Sequence, residues 1–141
     1  MRLRLALCLL LLAPLAGCGA GPPSTESVVR AWSEALNSGD NDSAAKLFAP
    51  GARVVEAGMV LRLANHRQAV MWNAAQPCSS RIVSISTRGE FARATFVLGN
   101  RKASHCTGPG ERTTAIFQVR NGKIVLWHRT PSEAPPTGPT I

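Results

Sequence analysis

From residue 78 onward the hydrophobic period of the chain changes from three or four to two, and this switch constrains its fold more than any other feature. Residues 81–87, 90–98, 113–120 and 123–129 are β-branched or alternating runs. Arg88-Gly89, a Gly108-Pro109-Gly110 loop and Asn121-Gly122 separate them, the last being a strong two-residue hairpin signal. Upstream the spacing is helical. Ser24 or Thr25 can cap a helix with Glu26 in its first turn, along which Val28, Trp32, Ala35 and Leu36 recur at steps of three and four. Asn37-Ser38-Gly39-Asp40 breaks that helix, and Asp42 can cap a shorter one that buries Ala44, Leu47 and Phe48 and stops at Pro50. Residues 53–56 and 59–63 flank Ala57-Gly58 as two short strands, and a third helix over 65–75 carries Ala69, Val70 and Trp72. Helices followed by a long antiparallel meander define an α+β domain.

The N-terminus carries a separate message. Arg2 and Arg4 precede an apolar run over residues 5–15, after which comes Leu15-Ala16-Gly17-Cys18. This order resembles a secretory signal that ends in the lipobox of bacterial lipoproteins, and the run has roughly half the length a bilayer-spanning helix needs. The resemblance implies a signal peptide over 1–17, lipidation at Cys18, a membrane partner through that lipid, and an extracytoplasmic location at the cell envelope. A Gly/Pro tether over 18–23 then leads into a domain over 24–130, and a Pro-rich tail over 131–141 is expected to be disordered.

Charge and cysteine usage narrow the classes further. Lys and Arg number 16 against 8 acidic residues, a formal net charge of +8; without Arg2 and Arg4 it is +6. The basic residues are scattered, with no run longer than two, so a solvated basic face is expected and nucleic acid is not an expected partner. Of the four cysteines, Cys8 lies in the leader and Cys18 is the lipid acceptor, which leaves Cys78 and Cys106 to form a disulfide in an exported domain. His66, His105 and His128 show no ligand spacing, and neither metal nor cofactor is expected.

The element order, together with Ala35-Leu36-Asn37-Ser38-Gly39-Asp40, Leu47-Phe48-Ala49-Pro50 and Val119-Arg120-Asn121-Gly122-Lys123-Ile124, resembles the nuclear transport factor 2-like superfamily over residues 28–129. SnoaL-like proteins and ketosteroid isomerase belong to it. The resemblance implies a cone: three N-terminal helices packed on a strongly curved, mostly antiparallel sheet, with a pocket at the open end. It also implies that Trp32, Glu56, Ala115, Phe117 and Trp127 line that pocket. Glu56 falls where ketosteroid isomerases carry their general base, while Trp32 and Ala115 fall where those enzymes carry the tyrosine and protonated carboxyl of the oxyanion hole. Ala115 donates nothing and an indole has the wrong shape; the loss of such donors costs about two to three orders of magnitude in rate for each.

Glu56 therefore has three readings: a solvated carboxylate near a turn, a lining residue, or a general base. His66 at a helix start and His105 beside Cys106 read as surface and loop residues, and Ser79 and Ser80 lack the partners of a hydrolase triad. Two functions stay open. The first is a non-catalytic envelope lipoprotein whose pocket takes a small apolar ligand or a protein partner, with a homodimer possible. The second is a SnoaL-like isomerase or hydrolase that uses Glu56 as base, and it requires a second polar group such as His105, Ser84 or Arg93 to converge on Glu56.

Overall fold

The computed structural model describes residue 19 and residues 21–131. The first helix, α1 (Thr25–Ser38), starts where a cap residue stands: the Ser24 side chain accepts from the Ser27 N–H. It ends at Gly39, whose φ of 81° suits a residue without Cβ. Val28, Val29, Trp32, Ser33 and Leu36 form its buried face. A short α2 (Asn41–Lys46) follows, and its cap is Asp40, which accepts from the Ser43 N–H at 2.9 Å. That hydrogen bond holds the Asp40 carboxyl below its ordinary pKa.

Here the structure corrects the sequence reading. Asp42 is not the cap; it sits in the first turn, where its carboxylate meets Lys46 at 2.6 Å and His66 at 2.8 Å. Nor does the helix run on to Pro50, because Phe48 already opens β1 (Phe48–Glu56). Pro50 and Gly51 are tolerated inside this strand because its pairing with the last strand is interrupted there, with register partners at Phe48 and next at Arg53. After β2 (Met59–Leu63), Asn65 caps α3 (His66–Ala75), and β3 (Cys78–Arg88), β4 (Phe91–Asn100), β5 (Arg112–Arg120) and β6 (Lys123–Thr130) complete the chain. The strands run a few residues beyond their local signals since neighbouring strands complete the ladder.

The six strands form one sheet in the order β2-β1-β6-β5-β4-β3. Four of the pairings are antiparallel, and β1 beside β6 is parallel. This one parallel pair joins the start of the domain to its end. The Asn121-Gly122 hairpin has positive φ at both residues, 49° and 72°, as its turn type demands. All three helices pack on one side of the curved sheet, and the buried core between them is rich in aromatic rings.

Cys78 and Cys106 form a disulfide, with Cα atoms 4.5 Å apart, that ties the start of β3 to the loop before β5. Next to it Arg101 reaches under the end of α3. One of its nitrogens donates to the carbonyls of Asn73 and Gln76 at 2.9 and 2.8 Å, and the other to Asn41 at 2.6 Å. Burial lowers the guanidinium pKa from its ordinary value, yet it stays charged and satisfies carbonyls that α3 leaves open. Arg101→Lys keeps the charge and loses the fork, so it is expected to destabilise the domain by about 1–2 kcal/mol in a denaturant titration.

Candidate ligand-binding site

Side chains alternate across a strand, so the burial of Val54, Phe96, Ala115, Phe117 and Trp127 identifies the helix-facing side of the sheet. Following the same alternation to the strand ends puts Glu56, Arg129, Thr113 and Leu98 on that side, beyond the last buried layer. There the ends of β1, β4 and β6, the start of β5 and the Ala57-Gly58 turn enclose a concavity of about 470 Å³, within the range of small-molecule sites. His128, Glu111 and Arg112 also line it.

Its centre is an ion pair. Arg129 Nη1 lies 2.5 Å from Glu56 Oε1, and both side chains are about one-third exposed, at 33% and 38%. The pairing follows from topology, since the parallel register sets Val54 beside Trp127 and Val55 beside His128, which carries Glu56 to Arg129. The Arg129 guanidinium stands 5.6 Å from the Trp127 ring centroid, a cation–π distance. Two buried donors here, Arg129 Nε and Trp127 Nε1, have no hydrogen-bond partner. Neither here nor elsewhere among the described residues do three or more His, Cys, Asp or Glu side chains gather as a metal would need.

Of the five pocket residues expected from the sequence, Glu56 lines this concavity. Trp32, Ala115, Phe117 and Trp127 do not open onto it as a wall; they are 2%, 1%, 0% and 3% exposed and form the layer beneath. Trp32 meets Phe117 at 5.3 Å between centroids and Trp127 at 6.3 Å, and Trp72 meets Trp127 at 5.0 Å and Phe48 at 5.5 Å. These rings fill the interior of the cone. The indole N–H of Trp32 is committed to Asn73 Oδ1 at 2.9 Å, and the Asn73 amide donates in turn to the Ala69 carbonyl at 2.8 Å. Neither Trp32 nor Ala115 thus presents a donor to the site.

The groups expected to join Glu56 lie elsewhere. His105, Ser84 and Arg93 are not among the lining residues, and His66 pairs with Asp42 on the surface. The Ser80 carbonyl accepts from the Ser33 hydroxyl and from Asn37, so that segment is structural. Arg129 is the partner that sequence reasoning missed. Its only local signal is a charge at the end of a strand, and nothing short of the β1–β6 pairing connects it to Glu56.

A family model described as the SnoaL-like domain matches residues 29–127. No curated protein matches the chain. Among solved structures, an NTF2-like protein of unknown function from Cytophaga hutchinsonii is similar, with a TM-score of 0.63, 11% identity, and coverage of 76% of this chain and 88% of that one. A protein from Catenulispora acidiphila with a ketosteroid isomerase-like fold, crystallised with trimethylamine, has a TM-score of 0.60 at 18% identity, covering 77% and 88%. A de novo designed protein with a curved β-sheet scores 0.61 at 16% identity, covering 74% and 82%. Identities this low establish the fold alone.

Proposed function

The chain belongs to the SnoaL-like domain family, and from that premise we propose that it is a non-catalytic binding module held at the bacterial cell envelope by an acylated Cys18. The single observation that carries the non-catalytic reading is the absence of an oxyanion-hole donor: the Trp32 N–H is spent on Asn73, and Ala115 has none. Glu56, where an isomerase would carry its base, is bound to Arg129. A base tied into an ion pair, with no donor at either of the positions where ketosteroid isomerases carry their oxyanion hole, supports binding over turnover.

The ligand is a small molecule with a charged or hydrogen-bonding end. Glu56 and Arg129 offer such an end both an acceptor and donors, while Val55 and Leu98 offer apolar wall for its body. The filled aromatic interior favours engagement at the mouth, with no apolar ligand swallowed whole. The competing reading, SnoaL-like isomerase or hydrolase chemistry with Glu56 as base, draws on the position of Glu56 in the concavity.

Glu56→Gln separates the two. The substitution keeps the shape and breaks the ion pair, so binding from a panel of small acids and amines is expected to weaken by at least tenfold, a loss of about 1.4 kcal/mol. Neither protein should turn over an enolisable ketone or an epoxide. Turnover in the wild type that vanishes in Glu56→Gln would establish the enzyme reading instead. Anchoring is checked independently by the mass of the membrane-extracted protein, expected to show an N-terminal Cys18 carrying acyl chains.

A further inference from the structure

The side of the sheet that no helix covers collects the arginines. With Val54, Ala94, Phe117 and Trp127 turned inward, the alternation turns Arg53, Arg62, Arg88 and Arg93 outward, and all four are exposed. Arg53, Arg62 and Arg88 make no ion pair among the described residues. Glu90, in the β3–β4 turn, is engaged by Arg120 at 2.9 Å. Four other acidic residues, Glu26, Glu34, Asp40 and Asp42, lie on or cap α1 and α2 behind the sheet. There Arg30 pairs with Glu26 and Lys46 with Asp42, so the helical charges largely balance while the outer sheet face carries exposed arginines.

One row on that face has the composition of a membrane-surface contact. Arg62, Arg53, Leu126, Gln118, Phe91 and Arg88 are successive cross-strand partners over all six strands, and Phe91 is 46% exposed. An aromatic ring flanked by arginines suits the boundary between headgroups and acyl chains. The row also lies close to where the chain enters the domain. A Cβ on Gly122 would stand 2.9 Å from the Pro23 ring, and Thr25 donates to the Gly89 carbonyl at 2.9 Å, so residues 23–25 sit at the β3–β4 and β5–β6 turns. Five residues back from Pro23 is Cys18, a reach of at most roughly 17 Å.

We infer that this arginine face docks on the anionic phospholipid surface of the membrane that carries acylated Cys18; the inference rests on the anchoring reading for which surface lies within reach. A second copy of the chain fits worse, since a two-fold interface through this face would set the same arginines against one another. In this orientation the Glu56–Arg129 mouth, at the opposite ends of β5 and β6, lies about 25–30 Å of strand away from the tethered end and stays open to water.

The test uses the full chain carrying Cys18→Ser, which has no thiol to acylate. It is sedimented with vesicles of phosphatidylcholine alone or of phosphatidylcholine with about one-third phosphatidylglycerol, the neutral vesicles measuring any contribution of the leader. The expected result is at least tenfold preference for the anionic vesicles, lost as salt rises to about 0.5 M. Arg53→Gln, Arg62→Gln and Arg88→Gln together should lower that partition roughly a hundredfold, at about fivefold per arginine, while the same three positions changed to Lys should retain it. Equal binding to both vesicle types, an unchanged glutamine variant, or a lysine variant as weak as the glutamine one overturns the inference, as does binding to a soluble polyanion with vesicles left unbound. An acyl group on wild-type Cys18 without the vesicle preference would leave the anchor standing and the docking face refuted; the preference without the acyl group would do the reverse.

Discussion

Trp32→Ala is expected to cost about 3–5 kcal/mol of folding stability, the largest effect of any single substitution in this domain. Trp32 is 2% exposed and packs edge or face against Trp72, Phe96, Phe117 and Trp127, with centroids between 5.3 and 6.5 Å. Its removal leaves a cavity that four rings from four other elements cannot all collapse into. It also strands Asn73 Oδ1, which is wholly buried and accepts the indole N–H. Trp32→Phe separates the two effects: the ring volume is largely kept and the donor lost, for an expected cost of about 1–3 kcal/mol. Guanidinium titrations with the slope unchanged measure both, and a Trp32→Ala midpoint within about 1 kcal/mol of wild type would refute the account. Since domains of this size are stable by only about 5–15 kcal/mol, the alanine variant should be marginal at physiological temperature.

The disulfide is the second large contributor. Cys78 and Cys106 are 28 residues apart in sequence, and closing a loop of that length contributes roughly 3–4 kcal/mol by the chain-entropy model. Reduction, or Cys78→Ala with Cys106→Ala, is expected to lower the unfolding free energy by that amount. The effect should centre on the loop over 101–111, where no strand ladder replaces the cross-link. Arg101 sits in this loop and supports the end of α3, so loosening it would withdraw a hydrogen-bonded brace as well as a covalent one. A melting temperature unmoved by reductant, with two free thiols titrated in the unfolded reduced chain, would show that the bond contributes nothing. An oxidising compartment, such as the proposed export would provide, is where such a cross-link persists.

The two stability predictions also bear on function. An interior filled by Trp32, Trp72, Trp127, Phe48, Phe96 and Phe117 leaves the cone little room for a ligand, which is why the proposed binding site is the rim where Glu56 and Arg129 meet.

Local chemistry made much of the architecture legible in the sequence. Ser24 caps α1 as its side chain suggests, Asn121-Gly122 forms its hairpin, and the two remaining thiols pair, because each of these signals acts over a few residues or leaves a single partner. The start of β1 was hidden. Phe48, Pro50 and Gly51 read locally as the end of a helix, and only the strand beside them makes them a strand. What the sequence by itself determined is therefore the type and order of the elements, since caps, turns and hydrophobic period are short-range. What the tertiary structure alone decided is which distant residues meet. The parallel pairing of the first strand with the last brings Glu56 to Arg129 and occupies the presumed catalytic carboxylate. Strand alternation and register collect arginines that are scattered along the chain onto one uncovered face, because residues two apart in any strand, and partners across it, share a side of the sheet.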